Sequence, residues 1–169
     1  MTTGVHPHAA TDGRSSSHGL RDAFARVLAT PHDPAATILR LTLAAVMFPH
    51  GAQKALGWFG GHGWSGTMGY LTGPAGLPAP VAALVILVEF VGPLLLVAGL
   101  LTRPVALAFI GLMIGAVTVG GHLQHGFFMD WQGSQAGHGI EYHLLMVGLA
   151  LALVLRGAGA WSADPRLAR

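Results

Sequence analysis

The chain has 169 residues, of which 52% are hydrophobic and only 9% charged. Soluble domains carry about 25% charged residues, so a soluble fold of this composition would lack the charge to cover its surface, and lipid is the expected solvent for one domain with a tail. Nine basic residues against seven acidic ones leave a net charge of +2 with no basic run among aromatics, which excludes a nucleic-acid footprint, and the absence of cysteine excludes disulfides, thiolate metal sites and dithiol chemistry.

Residues 1–18, MTTGVHPHAATDGRSSSH, are polar and aperiodic and read as a disordered tail. No positively charged start leads straight into a long apolar core, so no cleavable signal peptide is evident. Residues 19–30 follow as a short amphipathic segment, with Leu20, Phe24, Val27 and Leu28 on one face and Arg21 and Arg26 off it. It either lies on the membrane surface or packs as part of a cytosolic extension. Residues 31–165 form the membrane domain.

Four apolar segments make up that domain, at about Ala35–Leu56, Val81–Leu101, Pro104–Leu123 and Ile140–Leu155. A helix needs about 20 residues to cross about 30 Å of hydrocarbon. The second and third segments pass this test; the fourth has only twelve uninterrupted apolar residues, Leu144–Leu155, and the first is interrupted by Arg40, Pro49, His50 and Lys54. The fold expected is all-α: a four-helix transmembrane bundle preceded by the amphipathic helix. Arginines 14, 21, 26 and 40 lie before or early in the first segment, Arg103 in the turn between the second and third, and Arg156, Arg166 and Arg169 after the fourth. The positive-inside rule then makes both termini cytoplasmic and turns the two long loops outward. Those loops hold Trp58, Trp64, Tyr70 and Trp131 among many glycines, as an interfacial aromatic belt or as a lid over a site, and the stretch from Ser65 to Leu71 is expected to be a short helix.

Counting 1.5 Å per residue from the segment ends puts His50 about 21 Å up from the inner edge and Glu89 about 14 Å below the outer one, at similar depth. Lys54, His122, Glu141 and His143 fall in the outer third. His50 and Lys54, four apart, share a helix face, and Glu89 finds its obvious partners in those two. Each charge inside a membrane segment costs about 2.5–3.5 kcal/mol on insertion scales, so these groups are expected to be paired or functional. Arg103 is expected to snorkel to the cytoplasmic surface. Gly111 and Gly115 form a GxxxG pair that permits close helix packing, within the bundle or in a homodimer.

Three readings of the polar groups compete. In the first, His50, Lys54, Glu89, His122 and Glu141 line a pocket for a quinone-like carrier, with His and Lys as donors to its oxygens and Glu89 and His50 as the catalytic pair that moves protons. In the second, His122, His125 and His143 hold a metal ion, imidazole being a ligand for Zn, Cu or Fe. In the third, the cluster only locks the helices of a non-catalytic scaffold.

The residues also carry a resemblance. Phe48-x-His50-Gly51-x-x-Lys54, then Glu89-x-x-Gly92 with Gly99-Leu100-Leu101-Thr102-Arg103, then Met113, His122 and Gly126-Phe127, then Glu141 and Gly157-x-Gly159-x-Trp161-Ser162-x-Asp164, resemble the motifs of the DoxX family in order. The likeness spans roughly residues 36–165. It implies a four-helix protein of the bacterial inner membrane, linked to quinone-dependent or oxidative-stress redox complexes and so to redox partner subunits. It also implies importance for His50, Lys54, Glu89, Arg103, His122 and Glu141. The histidine-bearing tail and the additional His125, His138 and His143 depart from the pattern.

Overall fold

A computed structural model describes residues 25–167 together with residues 19 and 23. The expected tail at 1–18 lies outside the described residues, as do Leu20, Arg21 and Phe24 of the expected amphipathic helix. What is described of that helix, residues 25–28, ends on Leu28, which is fully buried. This last turn therefore packs on the protein.

Every regular element among the described residues is helical. Helix α1 (Pro34–Leu56) starts where Asp33 caps it, accepting from the Ala35 and Ala36 amides at 2.9 and 3.4 Å, with Pro34 preset for the first turn. It runs on through Pro49, His50 and Lys54. After a 3-10 turn at Trp58–Gly60 comes α2 (Gly63–Thr72), the short helix expected in this loop. Helices α3 (Ala79–Ala98), α4 (Thr102–Val119) and α5 (Glu141–Arg156) supply the rest of the membrane domain, followed by one turn, α6 (Asp164–Leu167).

Two helices are shorter than the hydropathy pattern suggests, and glycine is the reason in both. Gly99 takes a left-handed conformation (φ 64°) and its amide closes onto Leu95 and Leu96, so α3 stops at Ala98 and not at Leu101. The Gly120-Gly121 pair ends α4 at Val119, and His122 falls in a separate 3-10 turn, His122–His125.

Helix α1 packs against α3 and α5, and α4 packs against the same two. Their shared core holds Leu43, Ala44 and Met47 of α1, Leu96 of α3, Phe109 and Met113 of α4, and Met146, Ala150 and Leu153 of α5. Gly51 lets the α1 backbone lie directly on the α3 backbone at Glu89 and Phe90, where no side chain would fit. The opposite faces of the helices are apolar as well, with Leu84, Leu94, Leu107, Ile114, Leu145 and Leu155 exposed. A helix apolar all round belongs in lipid. α1, α3 and α4 are long and apolar enough to cross a membrane; the 16 residues of α5 reach about 24 Å.

The end of the molecule where α1 begins and α5 finishes, its terminal end, is tied together by polar side chains. Arg40 is buried, and its guanidinium donates to the Ala158 carbonyl at 3.0 Å, Val97 at 2.8 Å, Ala160 and Trp161 at 3.4 Å, and Leu96. It thus satisfies the last carbonyls of α3 and ties down the segment that follows α5. Asp164 accepts from the Leu101 and Thr102 amides at 2.6 and 3.1 Å and so caps α4. Arg103, expected to snorkel, is half-buried at this end and engaged by backbone. It donates to Val154 and Val27 at 2.8 Å each, and to Ala29, because those helix-end carbonyls have no partner of their own. Arg156 pairs with Asp33 through two hydrogen bonds of 2.9 and 2.7 Å. The Arg156 hydrogen bond holds the Asp33 carboxyl below its ordinary range; burial opposes this, and the Ala35 and Ala36 amides reinforce it.

Candidate functional site

The opposite end, which carries the two long loops, is built differently. Lys54, in the last turn of α1, forms an ion pair with Glu89 of α3. Glu89 is buried, and the close approach at Gly51 holds its backbone against α1 one turn below Lys54. The expected pairing is found: Lys54 turns to the one acid of α3.

This pair opens on a cavity of about 420 Å³, lined by His50, Lys54, Glu89, His122, Tyr142 and His143. Apolar side chains of α1 and α4, Met47, Leu112 and Met113, close it below, and Met129, Trp131 and His138 of the long loop before α5 reach over it. The loop therefore contributes walls to the chamber while also exposing aromatic rings, Trp131, Phe127 and Phe128, as an interfacial belt does.

The rings inside are mutually placed. His122 and His143 have centroids 4.4 Å apart, Tyr142 and His143 5.6 Å, and His50 and Tyr142 6.1 Å. The His122 Nδ1 lies 2.9 Å from the His138 carbonyl. A carbonyl only accepts, so His122 carries its proton on Nδ1 in this contact and its Nε2 is left to accept. The Asp130 amide donates to His138 Nδ1 at 3.2 Å, which anchors that stretch of loop. His143 is buried, and its Nδ1 has no hydrogen-bond partner of good geometry among the described residues, although the Gly139 backbone stands close by. A buried polar atom without a partner costs roughly 1–3 kcal/mol, and this one lies in the wall of a cavity.

Of the side chains expected to bind a cofactor, His50, Lys54, Glu89 and His122 all line the chamber. Glu141 is not among its lining residues; it opens α5, where a helix N-terminus favours a carboxylate. His125, from the expected metal set, lays its ring against Gly137, and no three His, Asp or Glu side chains among the described residues gather as a metal site. Arg103 belongs to the other end of the molecule. Tyr142 is the side chain that sequence reasoning missed. His143 was placed only in the metal set, yet it shares the helical phase of Met146, Ala150 and Leu153, the buried face of α5, and that phase pointed it inward.

The fold and this chamber define a multi-pass membrane protein with a polar cavity at one end of its helices. Comparison with known proteins gives the family: residues 35–122 match the DoxX model. Inner membrane protein YphA of Escherichia coli (strain K12) is 30% identical over 134 residues, covering 76% of this chain and 87% of that protein. The chain belongs to the DoxX family and is a multi-pass protein of the inner membrane. No solved structure matches it significantly.

Proposed function

We propose that this protein is a quinone-binding membrane subunit of an oxidoreductase, a four-helix transmembrane bundle with both termini in the cytoplasm. Among the described residues Arg40, Arg103 and Arg156 gather at the terminal end and Lys54 is the one Lys or Arg at the other, which supports that orientation, with the chamber in the outer half of the membrane. In this reading α5 completes its crossing through the residues that precede Glu141.

The observation that carries the reading is the position of the Lys54–Glu89 pair. It lies in the wall of two cavities at once, the polar chamber and an apolar cleft of about 490 Å³ between α3 and α4. Such a layout suits a ligand with a polar head and a greasy body. A quinone takes up two electrons and two protons and leaves as the quinol. Its oxygens gain negative charge on the way, so the residues around them must donate hydrogen bonds and deliver protons. Lys54 and His50 are placed to donate to one oxygen. Tyr142 stands across the chamber to donate to the other, with His122 and His143 beside it. Glu89, bound to Lys54, is the group that hands on a proton. Glu141 belongs to the frame, starting the helix that carries Tyr142 and His143. The electrons come from a partner subunit, since the chain has no cysteine for dithiol chemistry of its own.

Trp131 lines the chamber, so a bound quinone should quench its fluorescence. Titration of the purified protein with a short-chain quinone is expected to show saturable quenching that Trp131→Phe removes. Glu89→Gln should weaken binding about tenfold, the cost of one lost charge-assisted hydrogen bond. A normally folded Glu89→Gln protein with unchanged affinity rejects the assignment of Glu89, and a wild type without saturable quenching rejects the quinone. Zn, Cu or Fe bound in stoichiometric amount would favour the metal alternative. A tightly co-purifying partner and no ligand of either kind would favour the scaffold.

A further inference from the structure

Gly111 and Gly115 read from sequence as a helix-packing pair, but nothing among the described residues packs on them. A Cβ built at either position meets no atom within 4 Å, whereas one at Gly92 would lie 2.9 Å from the Phe109 ring. The two glycines instead form the α4 wall of the apolar cleft, opposite Val81, Leu84, Val85 and Val88 of α3. Tyr70 and Leu71 of α2 and Leu77 of the loop behind it close its outer side. Val81, Leu84 and Val119, at its margins, are exposed on the surface that faces lipid.

The cleft is apolar along its length and ionic at one end only, where it shares Lys54, Glu89 and His122 with the chamber. The chamber in turn contains the unpartnered, buried Nδ1 of His143. A packing groove has no need of a buried carboxylate and its lysine partner where it meets the chamber. From this we infer that the cleft between α3 and α4 is the lateral passage by which a polyprenylated quinone enters from the outer leaflet, its head in the chamber and its tail lying along Gly111 and Gly115. The inference rests on the quinone reading and narrows the ligand to a membrane-resident one.

The cleft supplies space for the tail more than attraction to it. Lipid is as apolar as the cleft walls, so moving a prenyl tail from one to the other releases little free energy. What the glycines supply is room. Filling the cleft should therefore exclude a tailed quinone and spare a tail-less one.

The test uses the full chain in lipid nanodiscs, with quenching of Trp131 as readout and two probes: a tail-less benzoquinone and the same head with a long prenyl tail. Gly111→Leu and Gly115→Leu add side chains into open space on an exposed or half-buried face and are expected to fold. The expected result is at least about a tenfold loss of affinity for the tailed quinone, with the tail-less probe unchanged. Tailed quinone bound equally well by wild type and both variants overturns the passage. So does a wild type that binds only the tail-less probe, which leaves the quinone reading intact. Loss of both probes in the variants also overturns it, since the glycines then serve the head site. A change of oligomeric state with tailed binding preserved assigns the pair to a homodimer instead. A wild type that binds neither probe removes the quinone reading itself.

Discussion

The two ends of this molecule use the same kinds of side chain for opposite ends. At the terminal end Arg40, Arg103, Arg156, Asp33 and Asp164 are engaged by backbone groups or by each other, and most of their partners are helix-end amides and carbonyls. At the loop end His50, Lys54, Glu89, His122, Tyr142 and His143 face a cavity, and the main side-chain contact between them is one ion pair. Polar groups inside a membrane segment are costly wherever they sit. Their partners, more than their depth, separate architecture from chemistry. Arg40, saturated by backbone carbonyls, has nothing left for a ligand, whereas groups held around the chamber keep their capacity.

The comparison breaks most severely at Arg40. Arg40→Met strips the guanidinium from five carbonyls, two at the end of α3 and three in the segment after α5. With about 1–3 kcal/mol for each group left without a partner and some of them recovering water, a net loss of about 4 kcal/mol is expected. The yield of monodisperse protein in detergent and its melting midpoint report it. His50→Ala, at the other end, should leave both unchanged. Arg40→Met protein that melts like the wild type would erase the distinction between the ends.

Lys54 sharpens it. Lys54→Met leaves Glu89 buried with no counter-charge and should cost about 3 kcal/mol, while Lys54→Met with Glu89→Leu recovers most of that, because an ion pair replaced whole is often neutral. Thermal melts of the two variants check this. The double variant would be stable and unable to bind a quinone, separating the fold from the function at a single contact. Failure of the second substitution to rescue the first would mean that the pair holds the helices together, as the networks at the terminal end do.

Much of this was legible in the sequence, and the gaps have physical causes. The four apolar segments, the α2 helix and the meeting of Lys54 with Glu89 followed from hydropathy, turn residues and rise per residue. Helix ends at Ala98 and Val119 did not, because left-handed glycines cut apolar runs that hydropathy alone would extend. Arg40 was seen as an interruption and as a marker of orientation, not as a tie between segments. Its acceptors are backbone carbonyls at Leu96 and Val97 and from Ala158 to Trp161, far away in the chain, and a carbonyl has no signature in a sequence. Glu141 was favoured over Tyr142 because carboxylates draw attention, but one residue turns the helix by about 100°. Counting back from Ala150 and Met146 reaches His143.

The smallest effect belongs to Asp33, and pH isolates it. Its carboxyl sits below the ordinary range chiefly because Arg156 donates to it. A depressed acid stabilises the fold at every pH above its unfolded value, about 3.9, and that contribution disappears as pH falls through the lower folded value. Asp33→Asn keeps an acceptor for the Ala35 and Ala36 amides but gives up the charge. The two proteins should therefore differ by a small, constant melting shift from pH 8 to about 5, and the difference should start to shrink near the unfolded value and vanish only below the depressed folded one. Salt should shrink it too, since Arg156 is largely exposed. No gap at any pH would mean that Asp33 acts only as the α1 cap, and that the terminal end is held by buried, salt-insensitive bonds such as those of Arg40 alone.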